Sequence, residues 1–395
     1  MPVAHLVQSL PRLATLTFAA LALAACVSGG GGRGASPLSA PTGSVTSEPL
    51  GAPTAGAAKA ALILPLTGNG ADAGQSMKNA GEMALAEFNN PNLQLIVKDD
   101  GGTAQGAAMA VQAAISEGAE IILGPLFAQS AQAAGDVARR SGVPMLSFSS
   151  DASVAKNGVY LLSFLPQTEV ERIVSHAVKS GRRSFAAILP EDAYGSVVEG
   201  AFQETVAKNG GRVLALERYA AGDEGQRKAV VQRVAQVARG VDAVFVPDNP
   251  AAIAAELSAS GVDLNRVALL GTGLWDDAAT LSSPAVAGGL YASPDPAGWN
   301  AFSARYAARY GAQPARTATL AYDAVLLAAA LTQTQGLQRF QAGTLTNPSG
   351  FQGIDGIFRL KPNGINERGL AVLKVQPGGA QIVAPAPKSF GQAGL

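Results

Sequence analysis

The sequence predicts an α/β protein with two doubly wound lobes, each built on a parallel β-sheet that helices cover on both faces. Short apolar runs of strand length alternate along the chain with longer runs that have the spacing of helical faces. The alternation restarts once, after Phe164-Leu165-Pro166, which indicates two sheets rather than one. Hydrophobic residues make up 48% and charged residues 15% of the 395 residues, a composition that suits two buried cores.

The first half of the pattern contains the strands and helices of one lobe. Its apolar runs predict strands at 60–65, 93–98, 120–124 and 144–148. Its helical runs cover 73–89, 104–117 and 128–141. Strands that alternate with helices in this way pair in parallel, so both faces of the sheet are expected to be covered.

The second half repeats the pattern and then changes. Strands are predicted at 185–189, 212–216, 243–247 and 267–271, and helices at 169–180, 195–209, 226–238 and 251–260. Two further helices follow each other at 299–310 and 317–332. The segment 351–375 is predicted to be a β-hairpin, with its turn at Pro362-Asn363-Gly364 and its second strand at 370–375.

The N-terminal segment contains the only cysteine, Cys26, directly after Leu23-Ala24-Ala25. The apolar run 13–25 is shorter than the ~20 residues that span a bilayer, so 1–25 is predicted to be a signal peptide. The small residues before the cysteine resemble the lipobox of bacterial lipoproteins. That resemblance implies an exported protein, anchored to a membrane by acyl chains on Cys26 and facing the periplasm or the cell exterior; the alternative is an ordinary signal peptide. Residues 26–59 are low in complexity and predict a flexible tether.

The composition argues against several classes of function. The 29 basic and 29 acidic residues balance, so no basic excess favours nucleic acid as a partner. The two histidines, His5 and His176, cannot form a metal cluster, and neither is placed to act as a general base. The pattern Ser153-x-x-Lys156 lacks the partner motifs of penicillin-recognising enzymes, and the glycines of 68–74 are spaced one residue too widely for a dinucleotide fingerprint. We therefore expect no enzyme activity and no cofactor.

Small polar residues follow the strands of the first lobe and form one half of a candidate ligand site. Ser130 lies at the start of a predicted helix, and Ser149, Ser150 and Asp151 close the strand at 144–148. Hydroxyl groups and free N–H groups at helix starts suit an anion such as a carboxylate. The alternative is that Ser130 and Asp151 only cap their helices.

The second lobe offers the other half of the candidate site. Tyr194, Asn249, Trp275 and Asp276 each follow a predicted strand. Ligands of open α/β sheets bind beyond the carboxyl ends of the strands, and an aromatic ring among carboxylates suits a cationic group. The alternative is that the acidic residues cap the following helices and that Trp275 is packed in the core.

Several motifs resemble the leucine/isoleucine/valine-binding protein family when taken in their order. They are Leu64-Pro65-Leu66-Thr67-Gly68, Ile121-Ile122-Leu123-Gly124-Pro125, Gly142-Val143-Pro144, Asp192-Ala193-Tyr194-Gly195 and the stretch 351–358. The resemblance covers about 60–375 and implies the type I periplasmic-binding fold, in which three crossovers join two lobes and a ligand binds in the cleft that hinge motion closes.

The resemblance also implies the limits of the lobes. The N-terminal lobe is expected at 60–165 with about 297–336, and the C-terminal lobe at 166–293 with about 350–380. A tail at 381–395 would follow. The crossovers would lie near 165–168, 293–296 and 335–349.

Family members that bind amino acids hold the α-carboxylate at the positions of Ser130 and Ser149 to Asp151, and Tyr194 covers the ligand. This chain has Asp151 where those proteins commonly have Thr, and a carboxylate there would repel that of an amino acid. The expected function is that of a solute-binding protein that delivers a small polar, amino-acid-like ligand to the permease of an ABC importer. The alternative is a lipoprotein that activates a penicillin-binding protein by contact, which Gly124-Pro125-Leu126 and the Val27 after Cys26 also fit.

Overall fold

The computed structural model describes residues 57–89 and 92–391. The predicted signal peptide, Cys26 and the tether up to residue 56 lie outside the described residues. The first strand begins at Ala58, so it includes the last two residues that were assigned to the tether. Among the described residues, no helix has the length and apolar character needed to cross a membrane.

The first lobe is a parallel sheet of five strands in the order β2-β1-β3-β4-β5. Its strands are β1 (Ala58–Leu64), β2 (Leu93–Asp99), β3 (Ile121–Leu123), β4 (Met145–Ser147) and β5 (Val159–Leu161). The helices between them are α1 (Ala71–Phe88), α2 (Ala104–Ser116) and α3 (Ala128–Arg140). The short strand β5 was not predicted, because three apolar residues carry no periodicity.

The second lobe has a larger sheet, in the order β15-β14-β10-β9-β8-β6-β7. Its elements in chain order are α4 (Pro166–Lys179), β6 (Ser184–Pro190), α5 (Ala193–Lys208), β7 (Arg212–Tyr219), α6 (Glu224–Val237), β8 (Ala243–Phe245), α7 (Pro250–Ala259), β9 (Ala268–Gly271), α8 (Ala278–Ser282) and β10 (Leu290–Ser293). The strands β6 to β9 pair in parallel, as predicted, and β10, which was not predicted, pairs in parallel with β9.

The rest of the chain returns to the first lobe and then ends in the second. It contains α9 (Pro296–Tyr310), α10 (Ala318–Thr334), α11 (Ala342–Leu345), β11 (Phe351–Gly353), β12 (Gly356–Leu360), β13 (Asn366–Arg368), β14 (Ala371–Gln376) and β15 (Gly379–Ala384). Residues of α9, α10 and β12 join those of β1 and α1 in one buried apolar core. Strand β14 pairs antiparallel with β10, and β15 antiparallel with β14.

The structure corrects the prediction for the C-terminal part of the chain. The second strand of the hairpin is β13, at Asn366–Arg368, whereas the segment that was predicted for it forms β14 in the second sheet. Phe358 and Leu360 pack in the core of the first lobe, so the last passage between lobes lies between β13 and β14 and not near 335–349. The expected tail starts inside β15, which is paired. Apolar alternation reveals a strand but not the sheet that it joins, which explains the error.

Candidate functional site

A cavity of about 480 Å³ opens between the two lobes. The chain passages and the first lobe contribute Ser150, Phe164, Trp299 and Arg316 to its lining, and the second lobe contributes Glu169, Tyr194, Leu274, Asp276 and Ser293. Ser150 follows β4, Tyr194 follows β6 and Asp276 follows β9, so all three lie beyond the carboxyl ends of parallel strands. The sheet edges thus bring residues from distant parts of the sequence to one place.

Only one of the four residues predicted on the first lobe lines this cavity. Ser150 is exposed there, whereas Ser130 and Ser149 are buried and absent from the lining. The Ser149 hydroxyl oxygen accepts the N–H of Asp151 at 3.1 Å, and Asp151 Oδ1 accepts the N–H of Ser153 at 2.9 Å. Asp151 therefore caps the following turn, which is the alternative stated for it.

The Ser130 hydroxyl has no hydrogen-bond partner among the described residues, although it is fully buried. It lies in the first turn of α3, and that helix has no side-chain cap. The structure does not bring it together with Ser150 in the cavity lining.

Trp275 is wholly buried, so the expectation that it covers a ligand is wrong. Its indole N–H donates to the carbonyl oxygen of Val246 at 2.8 Å, which satisfies the one polar group of the ring. Gly271 and Gly289 leave space for the indole, because a Cβ at these positions would lie 2.1 Å and 2.7 Å from it. The packed alternative is the one that the structure shows.

Asn249 belongs to a local network rather than to the cavity lining. It starts α7 in the left-handed conformation, with a φ of 47°. Its side-chain amide donates to the hydroxyl of Tyr219 at 3.1 Å and to Asp248 Oδ2 at 2.9 Å. The expectation that it binds ligand has no support in this geometry, since these partners already engage its amide.

Tyr194 and Asp276 are the second-lobe residues that the structure does place at the cavity. The Tyr194 hydroxyl lies 2.8 Å from Thr272 Oγ1, and burial raises the pKa of its phenol, so the ring stays neutral. Asp276 is exposed, and its two carboxylate oxygens accept hydrogen bonds from the hydroxyls of Tyr291 and Ser293, each at 3.1 Å. Two donors on a carboxylate hold it in one orientation.

Glu169 is a cavity residue that the sequence did not reveal. It lies in the first turn of α4 and is nearly buried, and its Oε2 accepts the N–H of Gly273 at 3.0 Å. Burial raises the pKa of its carboxyl to about 7, although the bond from Gly273 and the charge of Arg316 oppose this shift. No described residue donates a hydrogen bond to its Oε1. The sequence does show a Glu in the first turn of the helix that follows Leu165-Pro166. Acidic residues are common in the first turn of helices, so this position alone does not indicate a cavity residue.

Arg316 is the second cavity residue that was missed. Its guanidinium donates to both oxygens of Asp355, at 3.1 Å and 2.6 Å, and Asp355 is wholly buried. The guanidinium carbon lies 4.4 Å from the ring centre of Phe164 and 4.8 Å from that of Trp299. Because such contacts join residues far apart in sequence, periodicity could not predict them.

A second guanidinium lies behind the cavity, where the chain passes between the lobes. Arg368 is buried; its Nε donates to the carbonyl oxygen of Ser163 at 3.0 Å, and its guanidinium carbon lies 4.9 Å from the ring centre of Phe164. Desolvation lowers its pKa, and the charges of Asp355 and Asp323 oppose that effect. Phe164 therefore contacts one guanidinium at the cavity and another behind it.

Two other features of the described residues bear on where a ligand could bind. These residues contain no group of three or more His, Cys, Asp or Glu that could hold a metal ion. A second cavity, of about 610 Å³, is lined by Glu120, Gly142 and Arg339. It lies at the amino ends of β3 and β4, the edge of the sheet opposite to Ser150, and none of the predicted site residues lines it.

Comparison with known proteins gives a family match and one partial relative. Residues 57–380 match the model of a family described as periplasmic binding protein. An uncharacterized protein of Rickettsia prowazekii (strain Madrid E) is 21% identical over 170 residues, which make up 43% of this chain and 45% of that protein. The chain thus matches less than half the length of this curated relative.

Solved structures with a similar fold cover most of both chains. A protein of Rhodospirillum rubrum assigned as a branched-chain amino acid ABC transporter has a TM-score of 0.75 and 21% identity, over 83% of this chain and 100% of that one. A leucine-binding protein of Thermotoga maritima has a TM-score of 0.58 and 21% identity, over 83% and 98%. A solute-binding protein of Rhodopseudomonas palustris in complex with 3,4-dihydroxybenzoic acid has a TM-score of 0.59 and 19% identity, over 84% and 99%. The structural similarity shows the fold, which confirms the predicted two-lobed class.

Proposed function

The chain belongs to the periplasmic binding protein family, and from this premise we propose that it binds a small polar, amino-acid-like solute and delivers it to an ABC importer. The observation that supports the proposal is the cavity of about 480 Å³ between the lobes, since its lining comes from both. The solved structures similar to this chain include a solute-binding protein of an ABC transporter and a leucine-binding protein. A ligand that touches both lobes would stabilise their closed arrangement, as in other proteins with hinged domains.

The lining combines apolar walls with a few oriented polar groups, as small-molecule sites do. Phe164, Trp299 and Leu274 supply apolar surface, while Ser150 and Asp276 supply polar groups from opposite lobes. Ser150 is free to contact ligand because its exposed side chain faces this space.

Calorimetry tests this function with Leu, Ile, Val, benzoate and small amines as ligands. We expect at least one of them to bind. Ser150→Ala should then weaken that binding by roughly 2- to 10-fold, the equivalent of one net hydrogen bond of ~0.5–1.5 kcal/mol. Ser149→Ala is the matched control, because its hydroxyl is buried and engaged by Asp151. Equal loss of affinity in both variants would argue against Ser150 as a contact.

The family is extracytoplasmic, and we propose in addition that acyl chains on Cys26 anchor this chain to a membrane. The support is the lipobox-like segment that ends in the only cysteine of the sequence. A Cys26→Ser variant should be released from the membrane fraction. If it remains bound to membranes as tightly as the unaltered protein, lipidation at Cys26 is not the anchor.

Activation of a peptidoglycan synthase by contact stays a second proposal. One observation favours it: Ser130 and Ser149, which the family resemblance assigns to the ligand carboxylate, are buried away from the cavity. Absence of binding across the calorimetric panel, together with retention of a penicillin-binding protein on the immobilised chain, would support activation. Binding of a solute without such retention would support import.

A further inference from the structure

An amino-acid ligand has an ammonium group and a carboxylate, so its site needs a negative and a positive partner. The charged side chains of the cavity do not offer both. Three charged side chains line it: Glu169, Asp276 and Arg316. Arg316 is the one cation, and both of its terminal nitrogens donate to Asp355, a carboxylate with no exposed surface. The positive charge is therefore already compensated from within the protein, and the other two of these groups, Asp276 and Glu169, are both acidic side chains.

The edge of the first lobe offers little to hold a ligand carboxylate. Ser130 and Ser149 are buried, so of the three serines predicted to bind a carboxylate, Ser150 alone lines the cavity. Directly beside it stands Asp151, whose exposed carboxylate would repel an anion bound at Ser150. A carboxylate placed here would gain one hydroxyl contact and meet a like charge.

The second lobe, in contrast, presents acceptors for a cation. Both oxygens of Asp276 are oriented by hydroxyl donors, and each retains capacity for a further hydrogen bond. The nearly buried carboxyl of Glu169 lines the same space, and among the described residues only the N–H of Gly273 donates to it. Tyr194 and Leu274 provide apolar surface next to these acceptors.

We propose that the cavity selects an organic amine, a cationic nitrogen on an apolar body without a carboxylate, over the corresponding amino acid. The ammonium group pairs with Asp276 and donates to Glu169, and the apolar body lies against Tyr194 and Leu274. This inference rests on the proposed solute-binding function and replaces its amino-acid-like solute by a narrower class, an amine that lacks the carboxylate. It makes Asp276 the residue that determines specificity.

Matched ligand pairs test the inference by calorimetry on the full chain. Isoamylamine is compared with leucine, and tyramine with tyrosine, so that each pair differs only in the carboxylate. Isovalerate completes the first set as an acid without an amine. We expect the amine of each pair to bind at least about tenfold more tightly than the amino acid, the equivalent of ~1.4 kcal/mol.

Two variants test whether Asp276 is the group that binds the amine. Asp276→Asn should weaken amine binding by about tenfold or more, since it removes the paired charge. Asp277→Asn is the control, because this neighbouring carboxylate caps α8 through the N–H groups of Ala279 and Thr280, a role that Asn also performs. Equal amine affinity in both variants would overturn the assignment of Asp276.

The outcomes separate this inference from the function on which it rests. Binding of leucine or isovalerate without binding of the amines would overturn the amine class and leave solute binding in place. A folded protein that gives no heat with amines, amino acids or acids would overturn the solute-binding proposal and the inference with it. Tighter binding of the amines supports both.

Discussion

The guanidinium carbon of Arg316 lies 4.4 Å from the ring centre of Phe164, and this contact joins the start of α10 to the first chain passage between the lobes. Trp299, just after the second passage, lies 4.8 Å from the same guanidinium, and Arg368, just before the third, lies 4.9 Å from Phe164. These four side chains form what we call the hinge cluster. The hinge cluster therefore contains residues at or beside all three passages between the lobes.

The pair of Arg316 and Asp355 within this region should contribute strongly to stability. Arg316→Gln would leave the wholly buried carboxylate of Asp355 without its bidentate partner. Asp355 is buried but the Arg316 side chain is 38% exposed, so the pair is not a fully buried one. A buried acceptor left without its donor costs about 1–3 kcal/mol, and we expect a loss of unfolding free energy of this order in urea denaturation.

Lys208→Gln serves as the control for this prediction. It removes a cation that lies 3.8 Å from Glu171 at the surface, where both side chains are mostly exposed. Such pairs contribute about 0–1 kcal/mol. Similar losses in the two variants would mean that Arg316 does not compensate Asp355 as the geometry indicates.

Stability should decrease with rising pH because of Glu169. Its folded-state pKa is raised from 4.5 to about 7 by burial and by Asp276, against the opposing effects of Arg316 and the Gly273 N–H. Between these values the folded protein keeps a proton that the unfolded chain releases. The unfolding free energy should therefore fall by up to ~1.4 kcal/mol per pH unit for this group as the pH rises through that range.

Urea denaturation at a series of pH values measures this slope. Glu169→Gln removes this titrating group and should reduce the slope. Part of the slope should remain in the variant, because burial also raises the pKa of Asp323 to about 7. Parallel curves for the two proteins would show that Glu169 does not keep its proton in the folded state.

The two tryptophans should report differently on a ligand. Trp299 lines the cavity, whereas Trp275 is buried in the second lobe. Among the solutes tested, one that binds should change the tryptophan fluorescence of the unaltered protein and of Trp275→Phe, but not that of Trp299→Phe. Calorimetry on Trp299→Phe shows whether binding persists when the optical signal is lost. A ligand-induced signal that disappears in Trp275→Phe instead would place the binding site elsewhere.

The sequence predicted most of the fold because strands and helices of an α/β protein carry strong local patterns. Of the predicted site residues, Ser150, Tyr194 and Asp276 line the cavity, since residues after parallel strands share one edge of a sheet; that they bind ligand stays a prediction. The prediction from sequence failed where tertiary packing determines the orientation of a side chain. Trp275 also follows a strand, yet its ring turns inward because two glycines leave it room: Gly271, four residues before it, and Gly289, on a later segment.

Contacts between segments that are far apart in the chain could not be predicted from a single sequence either. The partner of Arg316 is Asp355, and Glu169 meets the backbone of Gly273. None of these residues stands out by its spacing, and each pairing exists only once the lobes and their passages are formed. The same reason explains why the last passage was placed too early in the chain.

The packing of Trp275 against Gly271 leads to a prediction of coupled substitutions. A Cβ at Gly271 would lie 2.1 Å from the indole, so Gly271→Ala should force the ring out of place and cost about 1–3 kcal/mol of stability. Trp275→Phe alone should cost a similar amount, because it leaves a void and removes the donor to the Val246 carbonyl. In the double variant the smaller ring leaves space for the added methyl, so its loss should be smaller than the sum of the two by about 1 kcal/mol or more.

Urea denaturation of the four proteins in this cycle gives the coupling energy. Gly200→Ala is the control for the effect of the substitution itself, since a Cβ at that exposed position of α5 meets no atom within 4 Å. It should stabilise the protein by up to ~1 kcal/mol, because Ala has the higher helix propensity. If Gly271→Ala proves as harmless as Gly200→Ala, the indole does not occupy the space beside β9. Strict additivity of the two losses would show that each residue acts through different neighbours.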